Sequence, residues 1–252
     1  MSMISPRLSS AIRYLGWADT PYKWRVSKGE CPLCNKSFFL SFRKDPFMTR
    51  CLKCRTNITN LSLVAAIKNY FKEPYTGKSA YELSSYGCTL AWLKANWPTV
   101  VDSEFFPEEK PGSVIDGVLN QDVQQLTFDN ESFDLVTSNQ VFEHVPDDIR
   151  GYAECFRVLR KGGALIFSVP LYDTDCTERI AFLDNGNIVF TGIPEYHDSR
   201  LAGAKSVPVF WRHSSRDIAG RVKTAGFRKV ELMDVFLADA QHIPSKVVCA
   251  WK

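Results

Sequence analysis

The sequence contains no apolar stretch that approaches 18 residues, which argues against a transmembrane helix. It has no basic start followed by a seven-residue apolar run, so no secretory signal is evident. A G-x-G-x-x-G string is also missing, which disfavours a dinucleotide-binding loop. Hydrophobic residues make up 45% of the 252-residue chain, which is ample for a buried core. These features predict a globular, cytoplasmic protein.

The net charge of +3 conceals an uneven distribution. Residues 1–78 contain 14 Lys and Arg against 4 Asp and Glu, whereas residues 79–252 contain 17 against 24. The change falls near residues 74–78, Pro-Tyr-Thr-Gly-Lys, whose composition is typical of a linker. We therefore expect a basic N-terminal module, residues 1–78, followed by a slightly acidic domain, residues 79–252.

Four of the eight cysteines are scattered, and the other four form two C-x-x-C pairs separated by 16 residues. The paired residues are Cys31, Cys34, Cys51 and Cys54. This spacing is typical of a structural Zn²⁺ site, in which four thiolates occupy all coordination positions of the ion. The intervening residues suit a hairpin, with residues 38–42 as one strand. The alternative is four unrelated buried cysteines.

The module also has basic residues interleaved with aromatic ones, which could bind phosphate groups and stack on bases. These residues are Lys36, Arg43, Lys44, Arg50, Lys53 and Arg55, with Phe38, Phe39, Phe42 and Phe47 between them. The other interpretation is a structural or substrate-lid role, with the basic residues providing solubility and the aromatic residues a small core. A run of basic residues indicates a positive surface but does not identify the molecule that binds there, so both interpretations stay open.

Residues 133–170 are typical of a strand–helix–strand unit. The apolar run 133–136 follows a polar turn, and the run 164–169 ends at Pro170. Between them lies a segment of helical periodicity, which Lys161-Gly162-Gly163 is expected to stop. Its predicted apolar face consists of Ile149, Tyr152, Ala153, Phe156 and Leu159.

This segment resembles the class I S-adenosylmethionine-dependent methyltransferases, specifically the type 11 group. Four strings carry the resemblance, and the last two form a strong signature in their order and spacing. They are residues 121–123 (QDV), 133–136 (FDLV), 142–146 (FEHVP) and 157–163 (RVLRKGG). The resemblance extends over roughly residues 79–252. It implies a Rossmann-like α/β fold, with a seven-stranded, mostly parallel sheet and helices on both faces.

The expected strands follow from the apolar runs of this region. The seven strands are residues 79–83, 100–104, 114–118 leading to 121–122, 133–136, 164–169, 230–236 and 245–251. The last two should form an antiparallel pair that closes the sheet. A helix over residues 216–225 should end at Gly226.

The resemblance implies a binding site for S-adenosylmethionine at the carboxyl ends of the strands, where open α/β sheets bind ligands. Glu82 matches the acidic residue that holds the methionine end of the cofactor. The following loop keeps Gly87, but Ser84 stands where the first glycine of the family would be. A loop with fewer glycines lets its backbone approach a ligand less closely. A non-catalytic, methyltransferase-like scaffold is therefore one alternative function.

Three further positions complete the expected cofactor site. Glu104 lies 22 residues after Glu82, and it should accept hydrogen bonds from the ribose hydroxyls. Its alternative role is that of a solvated carboxylate at a strand end. Asp122 and the Val123 backbone should meet the adenine edge, and Asn139 should line the pocket through its backbone.

The expected acceptor pocket and its lid lie in the insertion of residues 173–212. This segment contains Glu195-Tyr196-His197-Asp198, a cluster able to orient and deprotonate a hydroxyl or amine. His197 and His144 are the candidate catalytic residues. His144 could instead have a packing role, and His197 could be an exposed loop residue.

The resulting hypothesis is methyl transfer from S-adenosylmethionine to an oxygen or nitrogen of a small molecule, glycan or related metabolite. An RNA methyltransferase whose basic zinc module grips its substrate is the alternative within enzymes.

Overall fold

The structure is a computed structural model that describes residues 24–42, 46–199, 203–239, 241 and 244–252. Arg43 and Lys44 of the predicted basic surface lie outside these residues, as do residues 1–23 of the predicted module and 200–202 of the insertion. With α1 of 13 residues as the longest, the helices in the described part of the chain are too short or too polar to cross a bilayer.

The described residues form eighteen strands and four α-helices, with short 3-10 turns at Pro46–Met48 and Phe142–His144. The elements are β1 (Arg25–Cys31), β2 (Asn35–Ser41), β3 (Thr49–Cys51), α1 (Ile58–Tyr70), β4 (Ser79–Glu82), α2 (Cys88–Asn96), β5 (Thr99–Glu104), β6 (Val114–Ile115), β7 (Val118–Asn120), β8 (Phe133–Asn139), α3 (Asp148–Val158), β9 (Leu159–Ser168), β10 (Leu171–Tyr172), β11 (Glu178–Arg179), β12 (Ala181–Asp184), β13 (Asn187–Phe190), β14 (Tyr196–Ser199), β15 (Gly203–Pro208), β16 (Trp211–Ser214), α4 (Ile218–Lys223), β17 (Lys229–Val235) and β18 (Ser245–Trp251).

The central sheet has eight strands in the order β17-β18-β9-β8-β4-β5-β7-β6. Strands β7, β5, β4, β8 and β9 are parallel, whereas β18, β17 and β6 pair antiparallel to their neighbours. The predicted antiparallel pair is confirmed, but the sheet is mixed and has one strand more than expected. The predicted third strand folds as the hairpin β6–β7 instead. Asp116 and Gly117 form its two-residue turn with φ of 49° and 84°, the backbone that such hairpins require.

Successive residues of the central strands alternate between two buried clusters, one on each face of the sheet. Ala80 of β4 packs into the first cluster, with side chains of α1 and α2. Tyr81 packs into the second cluster, with side chains of α3 and α4. The expected arrangement of helices on both faces of an α/β sheet is therefore present.

Helix α3 ends earlier than the sequence predicts. Leu159 is already extended and begins β9, so residues 161–163 do not stop a helix. Gly162, with φ of 80°, lies instead where the pairing of β8 with β9 shifts register. The predicted apolar face is also only partly right, because Ile149 is 36% exposed while Cys155 is fully buried.

The cysteine-containing sheet β1–β2–β3 contacts the rest of the chain through its backbone. The amide of Glu30 donates to the Leu237 carbonyl at 2.8 Å, and the amide of Asp239 donates to the Lys28 carbonyl at 2.8 Å. Gly29 permits this approach, since a Cβ there would overlap the Leu237 carbonyl oxygen. Helix α1 contacts β3 of this sheet and also packs against β18 and β9 of the central sheet. The division at residue 78 remains a prediction from composition.

The insertion is built from short strands. Strand β16 pairs with β10 and β11, and two hairpins, β12–β13 and β14–β15, extend from them. These pairings satisfy backbone groups that a 40-residue loop would leave to solvent.

A buried ion pair connects α3 with α4. Asp148 is fully buried and accepts hydrogen bonds from Arg221, Nε at 2.7 Å and Nη2 at 2.6 Å, while Nε2 of the buried His213 lies 3.0 Å away. Burial opposes ionisation of this carboxyl, but the bonds and charges of His213 and Arg221 outweigh it and hold its pKa below the ordinary value.

We expect Asp148→Ala to destabilise the protein by about 3–5 kcal/mol, because it leaves the Arg221 charge without its partner. Urea denaturation at neutral pH measures this loss. Since the folded pKa of Asp148 is depressed, its contribution is complete above the ordinary value of 3.8 and disappears as the pH falls through the folded pKa. The difference between wild type and variant should therefore shrink in acid. Asp173→Ala is the control, because Asp173 pairs with Arg216 at a site where it is 84% exposed.

Candidate active site

The predicted cofactor residues lie along one edge of the central sheet. Because parallel strands end at the same edge, the carboxyl ends of β4, β5, β7 and β8 bring together residues distant in the sequence. Glu82, Glu104 and Asn139 end β4, β5 and β8, Asp122 and Val123 follow β7, and Ser84 and Gly87 lie between β4 and α2.

Glu82 is a buried carboxyl group at the end of β4. The hydroxyl of Thr137, at the neighbouring position of β8, donates to its Oε2. Burial raises the pKa of Glu82 to about 8, although the Thr137 hydrogen bond opposes the shift. A carboxyl group in this state gains from a cationic or hydrogen-bond-donating ligand.

Glu104 holds the loop that follows β4. Its Oε1 accepts from the Ser85 amide at 2.8 Å, the Ser85 hydroxyl at 3.0 Å and the Ser84 hydroxyl at 3.3 Å. Gly87 begins α2 with φ of 110°, and a Cβ there would meet no atom within 4 Å. Backbone conformation, not lack of space, therefore requires glycine at this position.

Two further predicted residues take part in local hydrogen bonds. Asn139 donates to Oδ1 of Asn60 in α1 at 2.8 Å and accepts from the Ser168 hydroxyl at 2.6 Å. Asp122 Oδ1 accepts from the Gln124 amide at 2.8 Å. Asn60 was not expected here, because α1 precedes the predicted domain.

Glu143, His144 and His197 form a compact group beyond the end of β8, here called the Glu-His-His cluster. Nε2 of His144 lies 3.2 Å from Nδ1 of His197 and 3.7 Å from Oε1 of Glu143. Nδ1 of His197 is 3.9 Å from the same carboxylate oxygen. The structure thus brings together the two histidines that were predicted separately, 53 residues apart.

The insertion holds this cluster in place. Nδ1 of His144 lies 2.7 Å from the Pro208 carbonyl oxygen. Glu195 lies with Oε1 3.7 Å from Nε2 of His197, and its Oε2 accepts from Arg212 at 2.7 Å. The Trp211 indole donates to the Val145 carbonyl at 2.8 Å, which fastens the insertion to the turn after β8.

Burial dominates the electrostatics of the cluster. It raises the pKa of Glu143 to about 8 and lowers that of His144 to about 4. Glu143 is 1% exposed, and neither of its carboxylate oxygens has a hydrogen-bond partner. Glu143 was not among the residues predicted for the site. The available signal was a carboxylate directly before a candidate catalytic histidine.

The four paired cysteines also meet in space. Their Sγ atoms all lie within 4.8 Å of one another, and those of Cys31 and Cys54 are 3.8 Å apart. Four thiolates around Zn²⁺ at about 2.3 Å would be separated by about 3.8 Å, so the donor set fits this ion. The residues after the two pairs, Asn35 and Arg55, both have φ of 62°, so both pairs form the same kind of turn.

One thiol of this group already favours ionisation. Burial opposes it at Cys51, but hydrogen bonds from the Ser37 hydroxyl and from the amides of Cys54 and Lys53 prevail and lower the pKa of Cys51 to about 7. The thiolate is the form that binds metal ions.

The central part of the chain matches a known family. Residues 77–167 match the model of the methyltransferase domain. The chain is 32% identical over 130 residues to the sarcosine/dimethylglycine N-methyltransferase of Halorhodospira halochloris. The aligned region covers 50% of this chain and 46% of that protein. It is 42% identical over 48 residues to the ubiquinone biosynthesis O-methyltransferase of Coxiella burnetii, or 19% of this chain and 20% of the relative. The chain thus spans less than half the length of these relatives.

Solved structures share the fold. The 1,6-didemethyltoxoflavin-N1-methyltransferase of Burkholderia thailandensis, solved with bound 1,6-didemethyltoxoflavin and S-adenosylhomocysteine, superposes with a TM-score of 0.52 at 15% identity. The superposition covers 77% of this chain and 78% of that one. An S-adenosylmethionine-dependent methyltransferase from Mesorhizobium loti gives 0.50 at 17% identity, over 75% and 97% of the two chains. Residues 77–167 thus match a methyltransferase domain, and the chain shares the fold of these two solved methyltransferases.

Proposed function

We propose that this protein transfers a methyl group from S-adenosylmethionine to an oxygen or nitrogen of a small molecule. The match of residues 77–167 to the methyltransferase domain carries this proposal. The relatives named for sarcosine and dimethylglycine and for ubiquinone biosynthesis support a small acceptor over a macromolecule. When bound, the cofactor supplies an electrophilic methyl group on a sulfonium.

Different residues would bind the two ends of the cofactor. Glu82, buried and with a raised pKa, would accept from the ammonium of the methionine end. Glu104 would turn from Ser84 and Ser85 to the ribose hydroxyls. Asp122 and Val123 would meet the adenine.

The acceptor would lie on the side of the Glu-His-His cluster. His197 is about one third exposed, and His144 behind it is held by the Pro208 carbonyl. The acceptor would lie against the insertion beside His197, and its fixed position would favour an in-line displacement. His197 is the proposed group that meets the acceptor's hydroxyl or amine.

A panel of small amines, hydroxy acids and phenols, including sarcosine and dimethylglycine, tests the proposal by mass-spectrometric detection of S-adenosylhomocysteine. Product formation that depends on an acceptor supports it. Calorimetry without acceptor separates the scaffold alternative, because a scaffold that binds no S-adenosylmethionine gives no heat of binding.

For the cofactor side we expect Glu104→Ala to weaken S-adenosylmethionine binding by about 1.5–3 kcal/mol, the range for hydrogen bonds to a charged group. Calorimetric titration measures this loss. Asp102→Asn is the matched control, since Asp102 lies on the same strand but pairs with Lys94 at 2.7 Å. An unchanged affinity in Glu104→Ala would show that Glu104 does not bind the ribose.

We also propose that the four cysteines hold one structural Zn²⁺. The sulfur separation, the paired turns and the ionisable Cys51 support this assignment. The ion would hold the small sheet β1–β3 together, while the chemistry takes place elsewhere.

An RNA substrate is the second candidate, supported by the exposed aromatic residues of the basic module. Phe38 is 51% exposed and Phe47 47% exposed, near the basic residues Arg50 and Lys53, whereas Phe39 is buried. Binding to an RNA pool at several salt concentrations tests it. Binding through phosphate contacts weakens steeply with added salt.

A further inference from the structure

We propose that Glu143, His144 and His197 bind one divalent transition-metal cation at a second site, separate from the four cysteines. Two imidazole nitrogens and one carboxylate oxygen form a donor set that Zn²⁺ and its neighbours in the first transition row accept. Three protein ligands leave a coordination position open, at which the acceptor would bind when the metal is present, since both nitrogens of His197 are then engaged. This proposal goes beyond the proposed methyl transfer, because cation binding can be measured without S-adenosylmethionine.

The distances within the cluster suit a single ion. Ligand atoms at about 2.0–2.2 Å from a tetrahedral metal lie about 3.3–3.6 Å from one another. The three separations here are 3.2, 3.7 and 3.9 Å. Small rotations of side chains, without backbone movement, would bring all three donors to one centre.

The hydrogen bonds of His144 select the tautomer that a metal ligand needs. A carbonyl oxygen can only accept, so the contact at 2.7 Å with Pro208 places the proton on Nδ1 of His144. The unprotonated Nε2 then points into the cluster. Metal-binding histidines usually donate their other ring N–H to a carbonyl or carboxylate in this way.

Nδ1 of His197 points into the cluster, and Nε2 of the same ring faces Glu195 at 3.7 Å. Without a metal, Nδ1 of His197 donates to the unprotonated Nε2 of His144, so metal binding would move the His197 proton to its own Nε2, on the side of Glu195. Arg212 fixes Glu195 by two hydrogen bonds, at 2.7 and 3.1 Å. Metal-binding histidines often donate their other ring N–H to a carboxylate. At 3.7 Å Glu195 is beyond hydrogen-bond distance from Nε2 of His197, so it would move toward the ring when the metal binds.

Glu143 is the independent observation that points to a bound cation. Its carboxylate is 1% exposed, and both oxygens lack a hydrogen-bond partner. Among the described residues, only the two cluster histidines lie within ion-pair distance of it, and no Lys or Arg does. Burying a carboxylate without a partner is costly, and a metal ion in the cluster would supply the missing positive charge.

Cobalt titration of the full chain, without a polyhistidine tag and with zinc at the cysteines, tests the proposal. We expect one equivalent of Co²⁺ to bind, with visible ligand-field bands but no thiolate charge-transfer band. Glu143→Gln and His197→Ala should each weaken this binding by 100-fold or more. Glu195→Gln should weaken it by about 10–100-fold, the usual effect of an outer-shell partner.

Glu178→Gln provides the matched control, since Glu178 is an exposed carboxylate of the same insertion outside the cluster. Its Co²⁺ affinity should equal that of the wild type. The proposal is overturned if no Co²⁺ binds, or if binding persists unchanged in His197→Ala. The side chain of His197 is about one third exposed, so this variant tests the proposal even if replacement of the buried Glu143 impairs folding. Methyl transfer by a wild-type protein that binds no Co²⁺ at the cluster would remove the metal proposal and leave the proposed function intact. Cobalt binding by a protein that transfers no methyl group would support the metal proposal and remove the proposed function.

Discussion

Replacing Cys51 with serine should abolish zinc binding at the four cysteines and unfold the sheet β1–β3. Cys31 and Cys51 are fully buried, yet the sheet around them offers few other buried apolar side chains, Phe39 among them. Structural Zn²⁺ contributes about 10–16 kcal/mol to the folding of comparable small modules at neutral pH. The few buried side chains of this sheet cannot replace a contribution of that size.

Metal analysis of gently purified protein measures the effect, with Cys51→Ser expected to contain one zinc per chain fewer than the wild type. Co²⁺ bound at the Glu-His-His cluster can be distinguished from Co²⁺ bound at the cysteines, because it lacks thiolate charge-transfer bands. Cys176→Ser is the control, because Cys176 is exposed and distant in sequence from both pairs. Zinc-free wild-type protein with an intact β1–β3 sheet would contradict the assignment.

The loss should also extend beyond the zinc module. The backbone of β1 is hydrogen-bonded to residues 237–239, which follow β17. Hydrogen exchange in Cys51→Ser should therefore rise both in residues 24–54 and in the segment after β17. Helix α1 should keep its protection, because its apolar side chains belong to the core against the central sheet.

Much of the central sheet could be predicted because its strands are short apolar runs between polar turns. Strands β4, β5, β8, β17 and β18 lie within one or two residues of most expected bounds. The hairpin β6–β7 was missed even though Asp116-Gly117 is a strong hairpin signal. The family pattern favoured one long strand there, and the local turn residues prevailed.

The candidate site was predictable only where it depends on strand ends. A strand's carboxyl end fixes where Glu82 and Glu104 lie, so the sequence pattern was sufficient for both. The approach of His197 to His144 depends on the path of the insertion, and no periodicity encodes that path. Contact between Asn60 and Asn139 likewise requires the packing of α1, which lies outside the family resemblance.

His197→Ala should lower the turnover number by about 100- to 10,000-fold, the range for loss of a group that assists proton transfer. His197 lies in β14 of the insertion, whereas the predicted cofactor residues lie at the ends of the central strands. The substitution therefore changes the acceptor side alone. Affinity for S-adenosylmethionine, measured by calorimetry, should stay within twofold of the wild-type value.

Tyr196→Phe is the matched control for this experiment. Tyr196 precedes His197 in β14, so its side chain points to the opposite face of the strand, where its ring packs 5.3 Å from that of Phe190. Turnover in this variant should be close to that of the wild type. If His197→Ala retains full turnover, or loses only cofactor affinity, the insertion has no part in the chemistry. His144, whose Nε2 faces the same cluster, would then be the remaining candidate for contact with the acceptor.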